Sequence, residues 1–445
     1  MVSRFSSRKV LRGRSIPALN ILFAFACLLT LILVACDSDG DPLPTQTKVL
    51  PSTPTVATPV RNITAITPTH EGIPFQPTPV STVPVPTESL SDIETAWDNQ
   101  FQVNRVPLYS SITSYLQANT TTPDGKFLIC AEYPRDIHEN GGSQPVTLVM
   151  IDLLTHQTIK IHSGPRNDIR AYGASADENW IVWTEAPQEP GFFSDWVIYA
   201  YNRSDHSIKE VAKAPRNKLD SSLPVLGPDG TAYVDNGIVV WAEASPDRER
   251  SARAVVKSMD LATGQVEVLT ENGLIPRISW PHVAWAESQD EPSTQIEGAN
   301  KGLIVVLDLR TSATKKLTGP DTPKYFDMYN EALVWVTAQG KEIILTNIND
   351  ETQQRTIARA GTDNTFERPS LNDRLVAWLS YDRKPRIWDR VQERVLTLGS
   401  KAESSHFVTK NALVWIASTS EQLPDASGTD TTRTINILDV NQLPK

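Results

Sequence analysis

A short apolar strand ending in tryptophan recurs along this chain and limits what it can fold into. It reads Ile181-Val182-Trp183, Val239-Val240-Trp241, Val283-Ala284-Trp285, Leu333-Val334-Trp335, Val376-Ala377-Trp378 and Leu413-Val414-Trp415. An earlier copy, Leu128-Ile129-Cys130, carries cysteine in the tryptophan slot. Turn-forming pairs precede the copies, among them Asp124-Gly125, Asn236-Gly237 and Asn372-Asp373. Such pairs close tight hairpins, so another strand must come just before each. After a polar loop of variable length comes an apolar strand ending in Asp or Asn, as in Val149-Met150-Ile151-Asp152 and Val305-Val306-Leu307-Asp308. A short turn and a fourth strand, such as Val266-Glu267-Val268-Leu269-Thr270, complete the unit. The terminal Asp or Asn is expected to accept hydrogen bonds from backbone amides of the turn that follows it.

Four short antiparallel strands repeating at roughly fifty residues predict the blades of a β-propeller. One such sheet cannot bury both of its faces. Stacked round an axis, neighbouring sheets bury each other, and the indoles fill the gaps between them. The expected fold is therefore all-β, a seven-bladed β-propeller of four-stranded antiparallel blades over residues 95–445. The last unit stops after Asp439-Val440 without a fourth strand, and the segment from Phe101 to Val106 is expected to supply it and close the ring. The unit from Thr122-Pro123-Asp124-Gly125-Lys126 through Ile151-Asp152 to Ile159-Lys160-Ile161 resembles the repeat of the TolB-like and WD-type β-propellers. That resemblance covers most of residues 110–445 and implies the same fold. It implies nothing specific about a ligand.

The front of the chain has a different character. Five bases precede an apolar run from Ile16 to Ala35, the pattern of an export signal. The run ends in Leu33-Val34-Ala35-Cys36, which resembles the lipobox of bacterial lipoproteins. The resemblance implies removal of a signal peptide, residues 1–35, and lipidation of Cys36 as the first residue of the mature chain. An uncleaved membrane-spanning helix is the alternative. Both arrangements leave the bases inside and send the rest of the chain out, so the expected location is the extracytoplasmic face of a membrane. Residues 36–94 read as a linker in which frequent proline prevents helix and central strand, as in Val83-Pro84-Val85-Pro86. Such a segment reaches roughly 40 Å as a coil and about 150 Å fully extended.

Composition excludes several functions. Loss of the five leader bases takes the formal charge from −10 to about −15, which disfavours phosphate-backbone binding, so no nucleic-acid partner is expected. Only Cys130 remains in the body, so no disulfide holds the fold, and a cysteine in the tryptophan slot reads as a small buried apolar residue. No metalloprotease, nucleophile-elbow or phosphate-loop motif occurs, and no catalytic residue, metal site or cofactor is predicted. His156 and His162 flank one turn, where a surface role is expected over a shared metal.

One charge pattern stands out. Glu132, Glu185, Glu243 and Glu287 each lie two residues past the tryptophan slot in the first four units. Period-two geometry puts each on its tryptophan's face, so the four are expected to form an arc at one pole, suited to a cation or a basic partner. The long loops Pro134–Pro145, Ala186–Asp195, Ser288–Lys301 and Ser418–Arg433 are expected at the same pole. The sixth unit is locally basic through Arg374, Arg383, Lys384, Arg386, Arg390 and Arg394. The functional expectation is a lipid-anchored, non-catalytic binding or scaffold module for a protein or a cell-envelope polymer. The alternative is a carbohydrate-active hydrolase or lyase with acidic residues in the propeller channel.

Overall fold

Every recurrent hairpin grows into a four-stranded antiparallel sheet. The computed structural model describes residues 101–108, 114–134, 146–164, 169–187, 195–216, 231–245, 254–288, 302–318, 323, 325–362, 364–380, 384–398, 402–422 and 429–443. The apolar leader, Cys36 and the proline-rich linker lie outside the described residues. Among the described residues no helix is long and apolar enough to cross a membrane.

The chain opens with β1 (Val103–Pro107). Blade 1 is then β2 (Ser114–Thr121), β3 (Phe127–Pro134), β4 (Thr147–Asp152) and β5 (Thr158–Ser163). Blade 2 is β6 (Ile169–Ala176), β7 (Trp180–Pro187), β8 (Val197–Asn202) and β9 (Ile208–Lys213). Blade 3 is β10 (Ala232–Asp235), β11 (Ile238–Ala244), β12 (Ala254–Asp260) and β13 (Val266–Thr270). Blade 4 is β14 (Leu274–Ser279), β15 (His282–Ser288), β16 (Gly302–Asp308) and β17 (Ala313–Thr318). Blade 5 is β18 (Tyr325–Tyr329), β19 (Ala332–Val336), β20 (Glu342–Asn347) and β21 (Asp350–Arg359). Blade 6 is β22 (Glu367–Leu371), β23 (Leu375–Leu379), β24 (Pro385–Asp389) and β25 (Arg394–Thr397). The last blade has three strands of its own, β26 (Ala402–Val408), β27 (Ala412–Gln422) and β28 (Thr429–Asp439). Its fourth is β1, paired antiparallel from Val103↔Leu438 to Pro107↔Thr434.

This closure follows from strand economics. An unpaired outer edge on β28 would leave backbone donors and acceptors without ladder partners, and the chain's first strand satisfies them. Two residues of that segment also serve the core, since Val106 and Leu108 are buried among Leu116, Val414 and Ile435.

Ring closure is visible in the core itself. The buried apolar side chains fall into seven clusters, and each bridges one pair of adjacent blades, including the pair of blades 7 and 1. Each recurrent tryptophan packs toward the preceding blade, as Trp183 does against Ile129 and Met150. Trp183, Trp241, Trp285, Trp335, Trp378 and Trp415 are all at most 4% exposed. Cys130 occupies the equivalent place at the closing junction, fully buried, and burial pushes its thiol well above the ordinary range.

The strand-terminal Asp and Asn residues do what their position predicts. Asp152 Oδ1 accepts from the backbone N–H of Leu154 and of Thr155, both at 2.8 Å. Asn202, Asp260, Asp308, Asn347, Asp389 and Asp439 accept in the same way from the turns that follow them. The first-to-second-strand hairpins and third-to-fourth-strand turns therefore share one end of the ring, here the turn pole. The connections from second to third strand, and from blade to blade, lie at the loop pole.

Candidate functional site

The sequence singled out four glutamates, and they do occupy equivalent positions on β3, β7, β11 and β15 of blades 1 to 4. Two of them turn inward. Glu185 accepts from Trp183 Nε1 at 2.9 Å and Glu243 from Trp241 Nε1 at 2.9 Å. These carboxylates are only 4% and 5% exposed. Each has a basic neighbour: His162 Nε2 of blade 1 lies 3.4 Å from Glu185, and Lys257 Nζ lies 2.5 Å from Glu243. Burial raises the carboxyl of Glu185, while the indole hydrogen bond and His162 pull it back down. Glu287 behaves differently, reaching Lys316 Nζ at 3.2 Å and leaving Trp285 Nε1 without a partner. Glu132 follows a cysteine, has no indole beside it, and is half-buried.

The signal for the two indole clamps was present as Trp-x-Glu, because residues two apart on a strand share a face. His162 was not predicted to join them. It sits among Trp183, at 5.7 Å between ring centroids, and Tyr199, at 5.3 Å. His156 lies in the turn before β5, on a left-handed backbone, at the opposite end of that strand. Among the described residues no group of three His, Cys, Asp or Glu side chains is placed to hold a metal.

Polar side chains on the inner strands stitch each blade to the next. Ser175 accepts from Val234 N and Asp177 from Gly237 N, joining blades 2 and 3. Asp235 accepts from Trp280 N at 2.7 Å, joining blades 3 and 4. Ser279 accepts from Asn330 N, Asp327 from Leu371 N and Ser370 from Val408 N, carrying the stitching from blade 4 to blade 7. At the closing junction Thr409 and Thr121 hydroxyls lie 2.6 Å apart, and Asn411 donates to the Pro123 carbonyl. Tyr133 donates to Ala171 O, and Arg203 reaches Asp124 at 3.2 Å, between blades 1 and 2. Lys410 of blade 7 also pairs with Glu178 of blade 2 at 2.8 Å, spanning the turn of blade 1.

Two of these stitching carboxyls are strongly perturbed. Burial pushes Asp235 up to about 6, with the charges of Asp177 and Glu178 adding to it and Lys410 opposing. Burial likewise pushes Asp327 up to about 6 although Arg277 lies 3.5 Å away and lowers it. Arg277 in turn lies over the Tyr233 ring at 4.0 Å. Blades 3, 4 and 5 are thus joined by a tyrosine–arginine–aspartate run at the same level where other blades use serine.

The basic sixth unit is largely spent inside the protein. Arg374 pairs with Asp389 at 2.8 Å. Arg390 donates to Asn372 O, and its burial lowers the guanidinium to about 10. Arg386 is buried, Arg394 donates to Gln392, Lys384 makes contacts of its own, and Arg383 lies outside the described residues. Of the four long loops, residues 135–145, 188–194 and 289–301 also lie outside them. The fourth is shorter than expected, because β27 and β28 continue as a ladder to Gln422↔Thr429.

No family model and no curated protein sequence matches the chain. Solved structures do resemble it. A prolyl endopeptidase aligns with a TM-score of 0.50 at 10% identity, over 76% of this chain and 49% of that one, so this chain spans about half its length. The β-propeller domain of the Trilobed protease from Pyrococcus furiosus aligns at 0.49 and 11% identity, over 69% of this chain and 90% of that domain. An oligogalacturonate lyase from Vibrio parahaemolyticus aligns at 0.48 and 13% identity, over 78% and 96%. At such identities the likeness concerns the fold alone: a seven-bladed β-propeller of four-stranded antiparallel sheets.

Proposed function

We propose that this chain is a lipid-anchored, extracytoplasmic binding module that presents the loop pole of its propeller to a protein or envelope-polymer partner. The observation that carries this reading is where the chain enters the ring. Val103 pairs with Leu438, beside the turn that ends β28, and Phe101 packs against the cluster holding Val440 and Leu443. The first described residues therefore enter the ring at the turn pole, at the opposite end from the loop pole. Stitching at the blade junctions makes the ring a rigid support, and on such supports loops carry recognition. The glutamate reading narrows accordingly. Glu132 and Glu287 keep surface for a partner, while Glu185 and Glu243 serve the core.

Two measurements test the proposal. Mass spectrometry of the membrane fraction should find the chain starting at an acylated Cys36, and Cys36→Ala should leave it unacylated; an uncut, unmodified leader would remove the anchor. A photo-crosslinking residue at Glu132, near the loop pole, should capture a partner in intact envelopes, whereas one at Asn236, in a turn-pole hairpin, should not. Capture at Asn236 alone would invert the assignment of the binding face.

A further inference from the structure

The inner strands of blades 2 and 6 each place an arginine on the channel side of the ring for which no carboxylate partner exists among the described residues. Arg170 on β6 has its Nε buried and without a hydrogen-bond partner. Its charge bears on the phenols of Tyr115 and Tyr133, whose rings stack at 5.3 Å and 16°. Arg368 on β22 is exposed, and among the described residues no hydrogen bond or ion pair engages it. An inner-strand residue is covered by its own sheet on one side and by neighbouring blades on both faces, so the surface these two keep, near the start of their strands, opens on the loop-pole mouth of the channel. Blades 2 and 6 stand three places apart round a ring of seven, about as far across the axis as that ring allows.

The backbone at Arg368 is not ordinary strand, and β6 departs from ordinary strand three residues past Arg170. β6 is bulged between Tyr172 and Ser175, with Gly173 at φ 62°, and β22 is bulged between Glu367 and Ser370, with Arg368 itself at φ 48°. β14 has the same bulge, with Ile275 at φ 54°, but Ile275 packs against the core between blades 4 and 5. Glycine takes this left-handed conformation without strain, and isoleucine gains packing for it; arginine gains neither. Bulges commonly re-aim side chains toward a site. The other charged side chains described on the inner strands are accounted for: Arg277 faces Asp327, Asp235 holds Trp280 N, and Glu367 has contacts of its own.

We propose that the channel, approached from the loop pole, is a binding site for a carboxylate group, held by Arg170 and Arg368, with Tyr115, backed by the buried Tyr133, as the wall beside Arg170. This rests on the loop pole being the binding face. A guanidinium fork matches a carboxylate in two parallel hydrogen bonds, and a buried donor without a partner gains most from one. The carboxylate belongs to a peptide C-terminus or to an acidic small molecule, and the probes separate these sources.

The test is calorimetric titration of the full chain in detergent with four probes. They are glucuronate against glucose, and acetyl-trialanine with a free against an amidated C-terminus. At least one acid should bind while its neutral counterpart does not, and its affinity should fall as salt rises. Arg170→Gln and Arg368→Gly should each weaken that binding about tenfold or more, as loss of a charged hydrogen-bond donor implies. Glycine suits the left-handed backbone at 368, so Arg368→Gly keeps the test valid even if Arg170→Gln misfolds. Lys126→Gln, an exposed base in a turn-pole hairpin, should change nothing. Acids binding no better than neutral probes, or affinity indifferent to both arginines, overturns the site. Partner capture at Glu132 that persists in Arg368→Gly alongside such a result would leave the face assignment standing and remove only the carboxylate.

Discussion

Asp235→Asn should stabilise the propeller at neutral pH and not at acid pH. The carboxyl lies between blades 3 and 4, accepts from Trp280 N, and is raised by burial and by Asp177 and Glu178 to about 6, against an ordinary 3.8. Below about pH 4 the group is protonated whether the chain is folded or not, and it contributes no pH dependence. Between 4 and 6 the folded protein holds a proton that the unfolded chain has lost, so stability falls as pH rises through this window. Above about 6 the folded state must carry a buried charge. The two-unit gap corresponds to about 3 kcal/mol, on the order of 5 °C in midpoint for a domain this large. Asparagine keeps an oxygen for Trp280 N and never ionises. Urea unfolding of both proteins at pH 4 and pH 8 measures the difference, which should be near zero at pH 4 and favour the variant by up to about 3 kcal/mol at pH 8. A variant less stable than the parent at pH 8 and equal to it at pH 4 would mean that the ionised carboxylate, not the bare acceptor, holds this junction, and the argument from burial would be wrong.

Three further outcomes follow from the same geometry. Asp152→Asn should show the opposite sign: backbone amides of Thr155 and Leu154 lower this carboxyl, so the variant should lose stability at pH 7, and the difference should vanish as pH falls through the carboxyl's lowered folded-state range, read from melting curves across pH. Trp183→Phe should cost about 1–3 kcal/mol more than Trp335→Phe in denaturant titration, since the first strands the buried Glu185 acceptor and the second removes an indole N–H that has no partner. Deleting residues 95–108 should abolish cooperative unfolding by calorimetry, because it exposes the β28 edge and empties the places of Val106 and Leu108; an unchanged transition would refute the closure.

The ring was legible because its determinants are local and repeated. A turn pair, two apolar residues and a tryptophan state a hairpin and a buried face together, and recurrence states the stacking. Even the closing strand could be read, since a blade lacking one edge must find it elsewhere. The site was less legible for a specific reason. Period two correctly put Glu185 and Glu243 on the tryptophan face, but that face is an interface between blades, where an indole N–H two residues away is the nearest unsatisfied donor. The inner-strand stitches were hidden more deeply. Ser175, Asp235, Asp327 and Ser370 look like ordinary polar strand residues, and their partners are backbone amides of the next blade, a contact no single-repeat pattern contains.

That distribution of polar groups separates stability from recognition by location. At the turn pole, acids and amides are committed to neighbouring blades, so a substitution there removes a stitch and is paid in folding free energy. Arg170 and Arg368 have no such commitment among the described residues, and losing either charge breaks no described hydrogen bond or ion pair. A buried donor without an acceptor already costs the folded state, so its removal should be neutral or stabilising to the fold. Denaturant unfolding of Arg368→Gly is the sharper case, since glycine also relieves the left-handed backbone, and its midpoint should rise. A lowered midpoint would show that this arginine carries a structural load after all, and residues of this kind would then have to be read as parts of the ring.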